Sequence, residues 1–202
     1  MAQRRHHYER AFEAFLRSRR IPYVAVDEAK KTLLPENTAL VVDETGSDGR
    51  ASRNSLKSFD FVVYGDASDP AGNPGGLAGN LLVDIKGRRV GSERMSGPMS
   101  QSRLESWVTM EDIEDLDRWE RLFGPGFAAA FVFIYQCHAQ PPDALFQEIF
   151  EHHGAWYALR AVPLQAYRRH MKVRSPKWGT VDLPRKVFEA ISQPFAGPPG
   201  GR

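Results

Sequence analysis

Over residues 7–20 apolar side chains fall at Tyr8, Ala11, Phe12, Phe15 and Leu16, the spacing of one helix face, and nothing inside the stretch breaks it. Pro22 closes this predicted helix, and Tyr23-Val24-Ala25-Val26 predicts a short first strand. Leu40-Val41-Val42 is a further strand candidate, with a turn over 46–50. Residues 59–64 and 80–87 predict two stronger strands, joined as a hairpin by a long Gly/Pro/Ala/Asp-rich loop over 66–79. The Gly/Ser/Met-rich stretch 90–101 reads as a mobile segment. Residues 111–123 carry Ile113, Leu116, Trp119, Leu122 and Phe123 along one helix face, and Gly124-Pro125-Gly126 ends it. The apolar run Phe127–Cys137 predicts a strand covered on both faces. After Pro141-Pro142, residues 143–152 predict a short surface helix, 156–162 a last strand and 164–171 a short helix. No internal repeat is present.

That order predicts an α/β chain with a mixed central sheet flanked by helices. A single domain is expected over 1–188. A Gly/Pro-rich tail, expected to be disordered, follows over 189–202.

Composition narrows the class. The chain has 202 residues, of which 42% are hydrophobic and 26% charged, values of a globular domain and not of a disordered or fibrous chain. No apolar run approaches the roughly 20 residues that span a bilayer, so no membrane partner is expected. The basic N-terminus has no apolar stretch behind it, which argues against a secretory signal. A lone cysteine, Cys137, excludes an internal disulfide and fits a reducing, cytoplasmic setting.

Net charge is only +2, but its distribution is uneven. Arg160, Arg168, Arg169, Lys172, Arg174, Lys177, Arg185 and Lys186 stand against one acid, Asp182. Residues 105–120 reverse the balance, with Glu105, Glu111, Asp112, Glu114, Asp115, Asp117 and Glu120 against Arg118. Such asymmetry suits a surface that attracts a polyanion on one side, unless it is simply a solvated face.

Chemistry points to the two strong strands. Asp84 and Lys86 are two residues apart, so on a strand they share a face about 6–7 Å apart along the chain. Their neighbours Leu81, Leu82, Val83 and Ile85 are apolar, and two charges there need partners or a metal to offset desolvation. Acid-x-lysine spacing also occurs at Glu28-Ala29-Lys30 in a polar run, so context separates the two. A structural ion pair at a strand end is the competing reading of Asp84 and Lys86. Asp60 interrupts the preceding apolar strand, and pairing of the two strands would bring it to Asp84. Carboxylates that close raise each other's pKa unless a divalent cation sits between them.

A helix with an inward acid, a strand aspartate and then acid-x-lysine on the next strand resembles the PD-(D/E)XK nuclease superfamily. The opening His7-Tyr8-Glu9-Arg10-Ala11-Phe12-Glu13 is similar to the pattern that names its HYExAFE family. The likeness covers residues 6–170 and implies a restriction-endonuclease-like fold with an αβββαβ core, as in Holliday-junction resolvases. It implies that Asp60 and Asp84 bind Mg²⁺ or Mn²⁺, with the Ile85 carbonyl as an added ligand, and that Lys86 positions or polarises the attacking water. Glu9 is the implied first-helix acid, with Glu13 one turn on as its reserve. Phe59 stands where many members have proline, and the spacing from Asp60 to Asp84 exceeds that of compact members.

The implied activity is metal-dependent hydrolysis of nucleic acid, DNA in preference to RNA. The alternatives are a catalytically silent nucleic-acid-binding module and, more distantly, a small-molecule enzyme or regulator. Arg168, Arg169, Lys172, Arg174 and Lys177 are the candidate phosphate contacts. Trp178 is expected to pack, with base stacking as its other role. A homodimer is expected by analogy with junction-cutting enzymes. Cys137-His138 with His152-His153 lacks zinc spacing, 72–76 lacks a phosphate-loop lysine, and no nucleophile elbow is present.

Overall fold

A computed structural model describes residues 6–27, 41–45, 51–55, 57–65, 79–90, 104–141 and 148–196, with backbone only at 6, 41–45 and 51–55. Helix α1 (His6–Ser18) buries Ala11, Phe12, Phe15 and Leu16, the stripe its periodicity marks. Strands β1 (Tyr23–Ala25), β4 (Phe61–Val63) and β5 (Asn80–Arg89) form an antiparallel series. Between β1 and β4 the chain makes a separate hairpin of β2 (Val41–Thr45) and β3 (Ala51–Ser55). Strand β6 (Val108–Thr109) leads into helix α2 (Met110–Phe123), after which β7 (Phe127–Cys137) runs parallel to β5. Strands β8 (Glu148–His152) and β9 (Ala155–Pro163) complete a six-stranded sheet in the order β1-β4-β5-β7-β9-β8.

The elements α1, β1, β4, β5, α2 and β7 reproduce the expected αβββαβ series, and the fold is a mixed sheet with helices on both faces. Alternate residues of β7 feed two cores. Val132 and Ile134 face Phe12 and Leu16 of α1, whereas Phe131, Phe133 and Tyr135 join Ile113 and Leu116 of α2 on the other side. That second layer also holds helix α3 (Leu164–His170) and helix α4 (Arg185–Ile191). Between them β10 (Lys172–Ser175), a 3₁₀ turn (Pro176–Trp178) and β11 (Thr180–Asp182) form a hairpin, and β11 pairs with β6.

One expectation is corrected. Residues 148–152 form a strand, not the end of a helix. They pair with β9 through a turn in which His153 (φ 51°) and Gly154 (φ 73°) both have positive φ, the geometry that suits a two-residue hairpin. Glu148 is buried there because its carboxylate accepts the N–H groups of Phe195 and Ala196, the latter at 2.7 Å. Phe195 packs in the α1-side core. The stretch 172–191, beyond the last predicted helix, holds two strands and a helix. The expectations for 46–50, 66–78, 91–101, 143–147 and the tail beyond 196 lie outside the described residues.

Candidate active site

Asp60 sits at a bend just before β4, and three hydrogen bonds fix it. Its N–H donates to Val83 O (2.9 Å), its carbonyl accepts from Val26 N–H (2.9 Å), and its carboxylate Oδ2 accepts from Ile85 N–H (2.6 Å). Strand β4 pairs with β5 only as far as Val83, so the Asp60 side chain takes the ladder position that β4 no longer fills. Successive residues of a strand face opposite ways, and this divides β5. Leu82, Asp84 and Lys86 point to α2, while Leu81, Val83 and Gly87 point to α1.

On the α2 side Lys86 Nζ lies 2.9 Å from Asp84 Oδ2 and 3.0 Å from Asp112 Oδ2. Asp112 also accepts from Lys57 Nζ and, at 3.0 Å, from Thr109 N–H, while Thr109 Oγ1 accepts from Asp112 N–H (3.0 Å). This capping box starts α2 and fixes Asp112 at the same time. Helix α2 clamps the segment leading to Asp60 as well. Lys57 N–H donates to Asp115 Oδ2 (3.1 Å), and Trp119 Nε1 donates to Lys57 O (2.9 Å). Lys57, Asp84, Asp112, Asp115 and Trp119 line a small cleft at this place.

On the α1 side the Tyr8 ring covers Gly87, where any Cβ would overlap three ring carbons. This contact seats α1 and sets Glu9 within electrostatic reach of Asp60. Glu13 is engaged elsewhere, accepting from Arg17 (2.5 Å) and the Tyr23 hydroxyl (2.6 Å).

The charges are unevenly balanced. Burial and the neighbouring Asp84 carboxylate push the Asp60 pKa well above the usual range, Glu9 adds to the rise, and Lys86 offsets it only weakly. Burial also raises Asp84, against the pull of Lys86. Burial opposes ionisation of Asp112 too, but Lys86, Lys57 and the Thr109 N–H outweigh it and hold its pKa well below the carboxylate range. Lys86 is raised despite burial, because Asp84 and Asp112 both favour its charged form.

Three of the expected groups, Asp60, Asp84 and Lys86, thus meet at one sheet edge, and Glu9 approaches Asp60 from the opposite face. Among the described residues, no three His, Cys, Asp or Glu side chains are drawn together tightly enough to form a finished ligand set. The donor chemistry of Asp60 and Asp84 nonetheless fits a hard divalent cation, since two half-buried carboxylates stand close together with little cationic compensation at Asp60. Ile85 N–H faces Asp60, and a strand residue directs its N–H and C=O to the same edge, so the carbonyl faces that edge too.

Sequence reasoning missed Asp112, Lys57 and Gly87. Asp112 precedes Leu116 by four residues, and Asp115 precedes Trp119 by four, so both acids lie on the apolar stripe of α2, the cue that marks them. A glycine inside a strong strand is the corresponding cue for Gly87.

The basic stretch is divided. Arg168 pairs with Asp117 of α2 (2.5 Å), and Arg160 is half-buried and donates to Ser192 Oγ (2.7 Å). Arg169, Lys172, Arg174 and Lys177 are exposed. Arg174 stands 5.3 Å and Arg88 4.2 Å from the Trp107 ring centre. Trp178, expected to pack, is 70% exposed.

Comparison with protein-family models and with curated proteins finds no match. Among solved structures the chain is similar to Hjc, a Holliday junction resolvase of Archaeoglobus fulgidus, at 12% identity over 91% of each chain and a TM-score of 0.45. Among the described residues no helix is long and apolar enough to cross a membrane.

Proposed function

We propose that this protein is a divalent-metal-dependent nuclease that hydrolyses phosphodiester bonds, with DNA the preferred substrate. One observation carries the reading. Asp60 and Asp84, far apart in the chain and both half-buried, converge at a sheet edge where the Asp84 carboxylate helps to raise the Asp60 pKa, and an ammonium group stands 2.9 Å from Asp84. Asp60 and Asp84 would hold Mg²⁺ or Mn²⁺, with Glu9 behind Asp60 and the Ile85 carbonyl as a further oxygen. When bound, such a cation lowers the pKa of a coordinated water and offsets charge on the phosphate. Lys86 donates hydrogen bonds from a permanently charged group to the incoming water or to a non-bridging phosphate oxygen. Asp84 and Asp112 hold its ammonium in place, and Ile85 N–H orients the Asp60 carboxylate.

The test is cleavage of labelled DNA and RNA with Mg²⁺ or Mn²⁺. Metal-dependent cutting that Asp84→Asn and Lys86→Met each reduce about 10²-fold or more supports the reading, by the scale on which transition-state stabilisers act. No cutting under conditions where a control nuclease works overturns it.

A second reading has its own observation. Asp84, Lys86, Asp112 and Lys57 already compensate one another as a chain of ion pairs, which suits a nucleic-acid-binding module without turnover. Salt-dependent DNA binding that Asp84→Asn leaves unchanged, with no cleavage, would favour that module.

A further inference from the structure

The β10–β11 hairpin exposes an apolar and cationic surface that the site described above does not use. Trp178 is 70% and Val173 69% exposed, the two most exposed large hydrophobic side chains described. Around them stand the exposed cations Arg169, Lys172, Arg174 and Lys177, with Asp182 the one acid of the hairpin. Lys177 Nζ lies 5.5 Å from the Trp178 ring centre.

Trp178 is held on a defined backbone. It closes a 3₁₀ turn that begins at Pro176, and Gly179 follows in the left-handed conformation (φ 55°, ψ 31°), which glycine adopts without strain.

The hairpin is also fastened to the catalytic edge. Met110 N–H donates to Gly179 O (2.8 Å), and Thr180 and Val181 pair with Thr109 and Val108. Two residues beyond Met110 is Asp112, whose carboxylate contacts Lys86. This relay of backbone and ion-pair contacts links the hairpin to the proposed catalytic lysine.

We propose that this hairpin recognises an unpaired nucleotide beside the scissile phosphate: Trp178 stacks on its base, and Lys172, Arg174 and Lys177 engage the adjoining phosphates. The inference rests on the nuclease reading and narrows its substrate class to nucleic acid with a single-stranded or unstacked position. The chemistry selects that occupant. A base inside a duplex has both faces covered, whereas a frayed, flipped or single-stranded base offers a face to an aromatic ring. The flanking cations match a phosphate backbone and disfavour another copy of the same basic hairpin.

The test uses full-length protein carrying Asp84→Asn to suppress cleavage, with and without Trp178→Ala or Trp178→Phe. Each is titrated against a fully paired duplex and against the same duplex with a single-stranded flank carrying 2-aminopurine. The expected result is tighter binding of the flanked substrate with 2-aminopurine quenching. Trp178→Ala should lose about ten-fold in affinity for the flanked substrate and under two-fold for the duplex, and Trp178→Phe should keep most of both, on the scale of single base–aromatic stacks. Equal effects on both substrates, or none, overturn the inference while leaving the nuclease reading intact. Conversion of a dimer to a monomer by Trp178→Ala would overturn it in favour of a second copy. If the wild-type chain neither binds nor cuts any nucleic acid, the nuclease reading fails and takes the inference with it.

Discussion

Lys86 and Asp112 form a 3.0 Å ion pair across the gap between the sheet and α2, and neither side chain is more than 14% exposed. The pair ties the proposed catalytic ammonium to the helix N-terminus, since Asp112 is also the acid of the α2 capping box. Replacing Asp112 by Asn leaves Lys86 with Asp84 alone and removes the partner of Lys57. Breaking a buried ion pair costs about 3–5 kcal/mol. The lower end is expected here, because Lys57 is 40% exposed and can return to water. The pH dependence has a definite sign. The Asp112 pKa is depressed in the folded chain, so its stabilisation is present above the unfolded carboxylate pKa of about 4 and fades as pH falls below it. Thermal denaturation from pH 2 to 7 should show an acid loss in the wild type that Asp112→Asn flattens.

Asp60 has the opposite sign. Burial and Asp84 raise its folded pKa, so its neutral form is favoured: stability is full below the unfolded pKa and is lost as pH rises through the folded value. Asp60→Asn, which keeps an acceptor for Ile85 N–H, should therefore be more stable than wild type at pH 7 and equal to it below about pH 4. About 1 kcal/mol moves the Tm of a chain this size by roughly 2–4 °C, so a rise of a few degrees is expected. The same substitution should abolish activity. Millimolar Mg²⁺ or Mn²⁺ should raise the Tm of the wild type and leave that of Asp60→Asn unmoved, and equal metal shifts in both would remove Asp60 from the ligand set.

Those two carboxylates also show how far the sequence could be read. Asp60, Asp84 and Lys86 were legible because each interrupts an apolar strand, where a charge stands out against its surroundings. Asp112 was not, because it sits among seven acids of the stretch 105–120 that together look like a solvated face. Which of them turn inward depends on the register of the helix against the sheet, and cations from two other segments, Lys57 and Lys86, decide it. The helix α1 and strand β7 were legible from local periodicity alone. Strand β8 was not, since its partner β9 and the buried anchoring of Glu148 by residues 195–196 come from outside the segment.

Gly87 tests the seating of α1 directly. Gly87→Ala forces the Tyr8 ring off the strand, and overpacking of this kind costs about 1–3 kcal/mol. If Tyr8 is what brings Glu9 to Asp60, metal affinity should fall with stability. The double variant Gly87→Ala, Tyr8→Ala should recover part of the loss by making room for the new methyl group. Calorimetric titration with Mn²⁺ alongside thermal melts separates these effects. A Gly87→Ala protein with unchanged melting and metal affinity would show that the contact does not position α1.

Arg168 separates the basic residues that face an ion pair from those that face solvent. Its guanidinium already meets Asp117, and Gln165 reaches toward the same helix, donating to Glu120 at 2.7 Å. A cation committed to a protein carboxylate releases few counterions on binding DNA, so Arg168→Gln should leave the salt slope of binding almost unchanged. Lys172→Gln, Arg174→Gln and Lys177→Gln remove exposed cations, and each should lower the slope of log K against log salt by about one. Arg174→Gln should also loosen the hairpin, because its guanidinium rests near Trp107. The check is a set of DNA titrations between about 50 and 200 mM salt, the range over which several phosphate contacts change affinity by orders of magnitude. A slope change for Arg168→Gln as large as for the three hairpin cations would mean that the Asp117 pair opens on binding, which would place the phosphate track along α3 and not along β10 and β11.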